Sequence, residues 1–318
     1  MNRRSTIALL AAAALLPACR REPTNARVDA AIAPLLPSET QALAGLRLDR
    51  LKNTKFFTKY IQGRRIHALN EFKDNTGLDP VTDVWEVVWA YSPSHSVAFI
   101  RGKFGGEFGL EPRFNVPGIQ RTAHKGYYIL YKENRGVLFM NTGVAVAGAL
   151  DDLKAVVDQR DQPGRTPPQA LIDRVAALPA CHAYAVTLNG SVLAPNLPRD
   201  GNAANLTRMA STLGLAYFHA DLTSGLELRA QANYSDPAVA RQAQDTLRGL
   251  LGILRLRTPT ENTDLLRLYD GIRITNEKGA VDVSVSAPFD SLDRIFRSLP
   301  ISSPPESHPP DSSSPRPH

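Results

Sequence analysis

Apolar and polar positions alternate with a period of two over several short stretches, and between them the apolar spacing lengthens to that of a helix. Leu43 to Leu48 alternates and predicts a first strand, followed by helical sequence from Leu51 to Thr76 that Gly77 is placed to stop. Val84 to Tyr91 and Val97 to Phe104 flank the turn residues Pro93-Ser94-His95 and predict a hairpin. Tyr127 to Tyr131 and Val137 to Met140 flank Glu133-Asn134-Arg135-Gly136 as a second hairpin, and Val144 to Ala147 continues the sheet. Leu150, Leu153, Val156 and Val157 then share one face of a helix, with Asp151 and Asp152 in its first turn, where the helix dipole favours acids.

Gln162 to Pro168 can continue neither a helix nor a central strand, so it reads as a linker, and after it the pattern restarts. His182 to Leu188 is a strand and Asn202 to Leu213 is helical. Leu215 to Leu222 and Leu226 to Tyr234 form a hairpin through Thr223-Ser224-Gly225. Asp236-Pro237 opens a helix whose expected buried stripe is Val239, Ala243, Leu247, Leu250 and Leu254. Ile272 to Thr275 and Val281 to Val285 pair around Glu277-Lys278-Gly279, and Phe289 to Leu299 is a closing helix. Its Phe289, Asp290, Leu292, Ile295 and Phe296 repeat the spacing of Leu150, Asp151, Leu153, Val156 and Val157, which implies an internal duplication. The expected fold is α+β in two similar halves, 41–160 and 169–300, each an antiparallel sheet of hairpins packed with amphipathic helices, joined by the 161–168 linker. Leu153 and Leu292 are then expected at equivalent buried positions.

The first eighteen residues are of another kind. Arg3 and Arg4 precede an apolar run from Ile7 to Leu16 that is too short to span a bilayer, and Ala18 is a small residue before Cys19; this is the pattern of a cleaved export signal. Leu16-Pro17-Ala18-Cys19 resembles the lipobox of bacterial lipoproteins. That resemblance implies a thioether-linked diacylglycerol on Cys19, cleavage before it and N-acylation, so palmitate-type chains would hold the protein to a membrane. Within that family an aspartate after the cysteine favours inner-membrane retention; Arg20 stands here and favours the periplasmic face of the outer membrane. Residues 19–40, punctuated by Pro23, Pro34 and Pro37, read as a tether, and 301–318, rich in Ser and Pro, as a disordered tail. Leu178-Pro179-Ala180-Cys181 repeats the four letters without an apolar run before it, so Cys181 reads as a small buried residue. The duplicated layout, with the turn Gly77-Leu78-Asp79-Pro80 before a strand, also resembles bacterial envelope lipoproteins of duplicated α+β build, a likeness that implies no known activity.

Composition adds limits. The 318 residues are 43% hydrophobic and 21% charged, and the formal charge of +6 falls to +4 once Arg3 and Arg4 leave with the signal. The basic residues alternate with acids, as in Asp49-Arg50-Leu51-Lys52, and form no stripe that would bind nucleic acid. With Cys19 committed to lipid, Cys181 has no partner for an intramolecular disulfide.

Candidate chemistry is sparse. The glycine-dense Gly102-Lys103-Phe104-Gly105-Gly106-Glu107-Phe108-Gly109 lacks the spacing of a phosphate loop, and no two of the seven histidines stand four apart as in a helical zinc site. No Gly-x-Ser-x-Gly elbow occurs. Asp79 and Asp83 flank a proline turn and read as caps. Trp85 and Trp89, an even number of residues apart, are expected on one strand face, packed in the core. The expected protein is therefore a membrane-anchored envelope lipoprotein without catalytic residues, metal or cofactor, which binds or scaffolds a partner. Two alternatives stay open: a periplasmic carrier or sensor of an apolar ligand held between sheet and helices, and a hydrolase whose site is assembled from distant residues.

Overall fold

The computed structural model describes residues 24–62, 67–105, 116–160, 162, 164, 166–190, 192 and 209–298. Cys19 and Arg20, the end of the glycine-dense loop and the tail 301–318 lie outside them. Twelve strands form one antiparallel sheet: β1 (Ala42–Arg47), β2 (Val84–Tyr91), β3 (Ser96–Gly102), β4 (Gln120–His124), β5 (Tyr127–Lys132), β6 (Arg135–Asn141), β7 (Val144–Ala149), β8 (Ala183–Thr187), β9 (Leu213–Asp221), β10 (Gly225–Tyr234), β11 (Arg273–Glu277) and β12 (Ala280–Pro288). The order across it is β11-β12-β10-β9-β8-β1-β2-β3-β7-β6-β5-β4. The helices are α1 (Leu48–Leu51), α2 (Lys55–Phe57, running into a π turn at Thr58–Gln62), α3 (His67–Thr76), α4 (Pro80–Asp83), α5 (Leu150–Arg160), α6 (Gln169–Ala176), α7 (Pro237–Arg257), α8 (Thr263–Asp270) and α9 (Phe289–Ser298). The α+β class and the hairpins follow the sequence pattern. Glu133 and Lys278 take positive φ in two of the expected turns, and Gly77 does so where α3 stops. The polar strand β4, turned into β5 by Lys125 and Gly126, has no apolar alternation to announce it.

Going outward from the centre, β1-β2-β3-β7-β6 and β8-β9-β10-β12-β11 have the same order. The two expected sheets are joined edge to edge, because β1 pairs antiparallel with β8, Ala44 opposite Ala185. The repeat stops at the helices. Paired residues share a face of a sheet, and Leu43, Ala90, Val97 and Val186 lie on the face that α5 and α6 cover with Leu153, Val156, Val157, Leu171 and Val175. Helix α7 covers the other face, over Ile274, Val281 and Val283. Along β12, Val281 and Ala287 are buried and Ser286 is exposed, which puts α9 and its buried Leu292 on that second face too. A two-fold axis relating β1 to β8 would stand normal to the sheet and keep each face to itself. Leu153 and Leu292 are both buried, but on opposite sides, so the expected copy holds for strand order and not for the helices.

The expected tether is shorter than 19–40. Ala26, Val28, Ile32 and Leu36 are buried in the same core as Leu153, and Thr24 and Ala26 pair through their backbones with Ala180 and Leu178. A strap from Thr24 to Leu36 is therefore part of the body. The helical sequence after β1 is also broken, into α1, α2 with its π turn, and α3.

Candidate functional site

The helices change sides at β1 and β8, and among the described residues this leaves the central strands uncovered on the α7 side. One row of paired residues crosses this face as Trp89, Ala44, Ala185, Phe218, Ala230 and Val283. Ala42, Ala44, Ala185, Ala216, Ala230 and Ala232 form the floor of a groove of about 520 Å³, walled by Trp89, Tyr91, Phe218, Tyr234 and Leu247. None of the described residues lining it carries a charge. Burial pushes the Tyr234 phenol upward, so it stays neutral there. A groove this size with small side chains as its floor is within the range of small-molecule sites. Trp89 is 52% exposed on it, which corrects its expected place in the core.

Helix α7 forms the far wall because its start is capped and its flank is tied to the sheet edge. The Asp236 carboxylate accepts the amide of Ala238 at 2.8 Å, and Pro237 takes the first helical position. Gln244 and Arg248 donate to the Ile274 carbonyl at 3.3 and 2.9 Å. That turns Ala240, Ala243, Leu247 and Leu251 onto the sheet and leaves Leu250 and Leu254 about half exposed, a correction to the expected stripe.

A second concavity of about 270 Å³ lies on the opposite face and is polar, lined by Asp29, Arg47, Asp49, Trp85, Glu86 and Arg101. The register shifts between Val84 and Glu86, and this bulge sets Trp85 against Arg101 in the polar pocket while Trp89 faces the groove. The expected shared face of the two tryptophans is lost with it. Arg47 forms a two-pronged pair with Asp49, at 3.0 and 2.6 Å. Glu86 is 2% exposed, and its Oε1 has no partner among the described residues. Burial raises its carboxyl to about 7; Arg47 opposes the shift, and Asp29 and Asp49 reinforce it. Among the described residues no serine, threonine, cysteine or histidine lines this pocket.

The other singled-out residues have structural places. Asp79 caps α4 by accepting the Val81 amide at 2.9 Å, and Asp83 accepts the amide of Asp79. Asp152 accepts the Ser96 amide and lies 2.7 Å from His95 Nδ1, tying α5 to a hairpin, whereas Asp151 is exposed. Cys181 is buried, and burial pushes its thiol up to about 11. Sequence reasoning missed the groove, although a signal was present: Ala44, Ala185, Ala230 and Ala232 are small residues at alternate positions of strands, where large ones would fill a core.

No protein-family model matches the chain, and no curated protein matches it. Among solved structures it is similar to crystal form III of TP0453, with a TM-score of 0.45 and 12% identity over 84% of this chain and 98% of that one. Crystal form IV of TP0453 gives 0.45 and 11% over 84% and 96%.

Proposed function

We propose that this chain is an envelope lipoprotein, held to a membrane through Cys19, whose body takes up an apolar ligand, such as an acyl chain, in the groove between the central strands and α7. The observation that carries this reading is the groove itself: an alanine floor, aromatic walls and no charge among the described lining residues, open at the surface. Such a surface gains free energy by covering apolar area, about 25 cal/mol per Å² removed from water. Its polar side chains, such as Tyr91, Thr187, Gln231 and Tyr234, are uncharged. The site binds and does no chemistry, and Arg20 after Cys19 supports a place at the periplasmic face of the outer membrane. Docking of a partner protein is the second reading, supported by the exposed leucines of α7.

Trp89 makes the ligand reading measurable, because Trp85→Phe leaves it as the one tryptophan. A dibrominated C18 fatty acid is expected to quench its fluorescence saturably, and Ala185→Leu, which fills the floor, to weaken that binding at least tenfold without unfolding the protein. Equal quenching in the Ala185→Leu variant overturns the groove reading. The anchor is tested separately: Cys19→Ala should leave an uncleaved precursor without fatty acid, and fatty acid still attached to that variant overturns it.

A further inference from the structure

The geometry points to the flank of α7 turned away from the β11 edge as a surface that lies on an anionic lipid bilayer. This rests on the reading of Cys19 as a lipid anchor. Leu250, Ile253 and Leu254 are about half exposed and Leu256 is 87% exposed, a concentration of uncovered large apolar side chains in two turns of one helix. At 100° per residue, Leu250 and Ile253 lie on the flank opposite Gln244 and Arg248, which grip the sheet edge. Gly249 and Gly252 have no atom within 4 Å of where a Cβ would stand, so nothing described packs over this part of the helix.

Charge selects the occupant. Helix α7 carries Arg241, Arg248, Arg255 and Arg257 against a single acid, Asp245. Arg257 falls on the same flank as Leu250 and Ile253, one turn beyond Ile253. Leucines and an isoleucine bordered by arginine suit the headgroup boundary of an anionic membrane, where apolar burial and charge attraction act together. Position agrees with charge. The Thr24 backbone is fixed to Ala180, so a lipid on Cys19 lies within about 17 Å of the body, five residues at full extension. Strand β8 begins at that end of the sheet, as β12 ends there. Arg255 pairs with Asp270, beside Gly271, which sits against the Ser286 carbonyl two residues before β12 ends. The exposed leucines and the anchor are therefore at the same end of the molecule.

The test uses the chain from Arg20 to His318, which keeps every described contact and carries no lipid. Flotation with vesicles of phosphatidylcholine alone and with 30% phosphatidylglycerol is expected to show binding to the anionic vesicles only, weakening as salt is raised. Leu250→Gln with Ile253→Gln should lower that binding at least tenfold, and Arg257→Gln should flatten its salt dependence. Unchanged thermal unfolding and unchanged quenching of Trp89 by the brominated fatty acid would show that fold and groove survive. Equal vesicle binding by the double variant overturns the proposal. So does an absence of vesicle binding joined to a concentration-dependent dimer that the double variant abolishes, which assigns the flank to a second copy of this chain. Failure of quenching alone would reject the groove and leave the flank standing.

Discussion

Glu86 shows how much one side chain can cost this fold. Its neighbours in the register, Arg47 and Arg101, bond Asp49 and the Gly143 carbonyl instead, so among the described residues the buried carboxyl keeps only the Asp29 amide and stays protonated up to about pH 7. An unfolded chain ionises the same group near 4.5. The folded pKa is the higher one, so stability is complete below about 4.5 and drains as pH rises toward 7, by at most about 3 kcal/mol. Glu86→Gln is therefore expected to raise stability by about 1–3 kcal/mol at pH 8 and to change nothing at pH 4, read by urea unfolding at both values. A gain of equal size at both pH values would refute ionisation as the cause. Nearby, a Cβ on Gly45 would stand 2.2 Å from the Tyr184 ring, so glycine is required where that ring crosses β1.

Helix α7 owes its placement to its capped start and its tied flank as well as its stripe. Removing the cap with Asp236→Ala should cost about 1 kcal/mol, seen as a lower melting temperature, because the Ala238 amide loses its acceptor. Its apolar residues spread over more than half its circumference, so hydrophobic spacing allowed two flanks to face the sheet. The Gln244 and Arg248 bonds to Ile274 chose between them, and Leu250 and Leu254 were left outside. Strand β2 departs from its pattern for a comparable reason: one bulged residue reverses the face of Trp85, and period-two alternation carries no mark of a bulge.

Across the whole molecule, the strap and the two-sided sheet determine what is buried. Ile32 is fully buried against the core that α5 and α6 cover. Ile32→Ala is expected to cost about 2–5 kcal/mol in equilibrium unfolding, the range for a large-to-small change in a core. A cost near zero would return residues 24–36 to the role of a bare tether. The same sheet is apolar toward α5 on its N-terminal strands and polar there on its C-terminal ones, where Gln231, Asp282 and Thr275 continue the row of Leu43 and Val186. Neither half can close over the central strands, and the groove is the space that remains.

The local pattern alone determined the α+β class, eleven of the twelve strands, the turns at Glu133 and Lys278, the cap at Asp236 and the buried face of α5. Each of these depends on residues within a turn or two of one another, where propensity, capping and periodicity act directly. Short helices without long stripes, such as α6 and α8, and the polar edge strand β4 left too little periodic signal to read. The merging of the halves through Ala44 and Ala185, the change of side by the helices, the burial of the strap and the groove under Trp89 and Phe218 depend on partners more than a hundred residues apart. Hydrophobic periodicity states that a strand has an apolar face. Which helix covers that face, or whether any does, is decided only when the whole sheet has assembled.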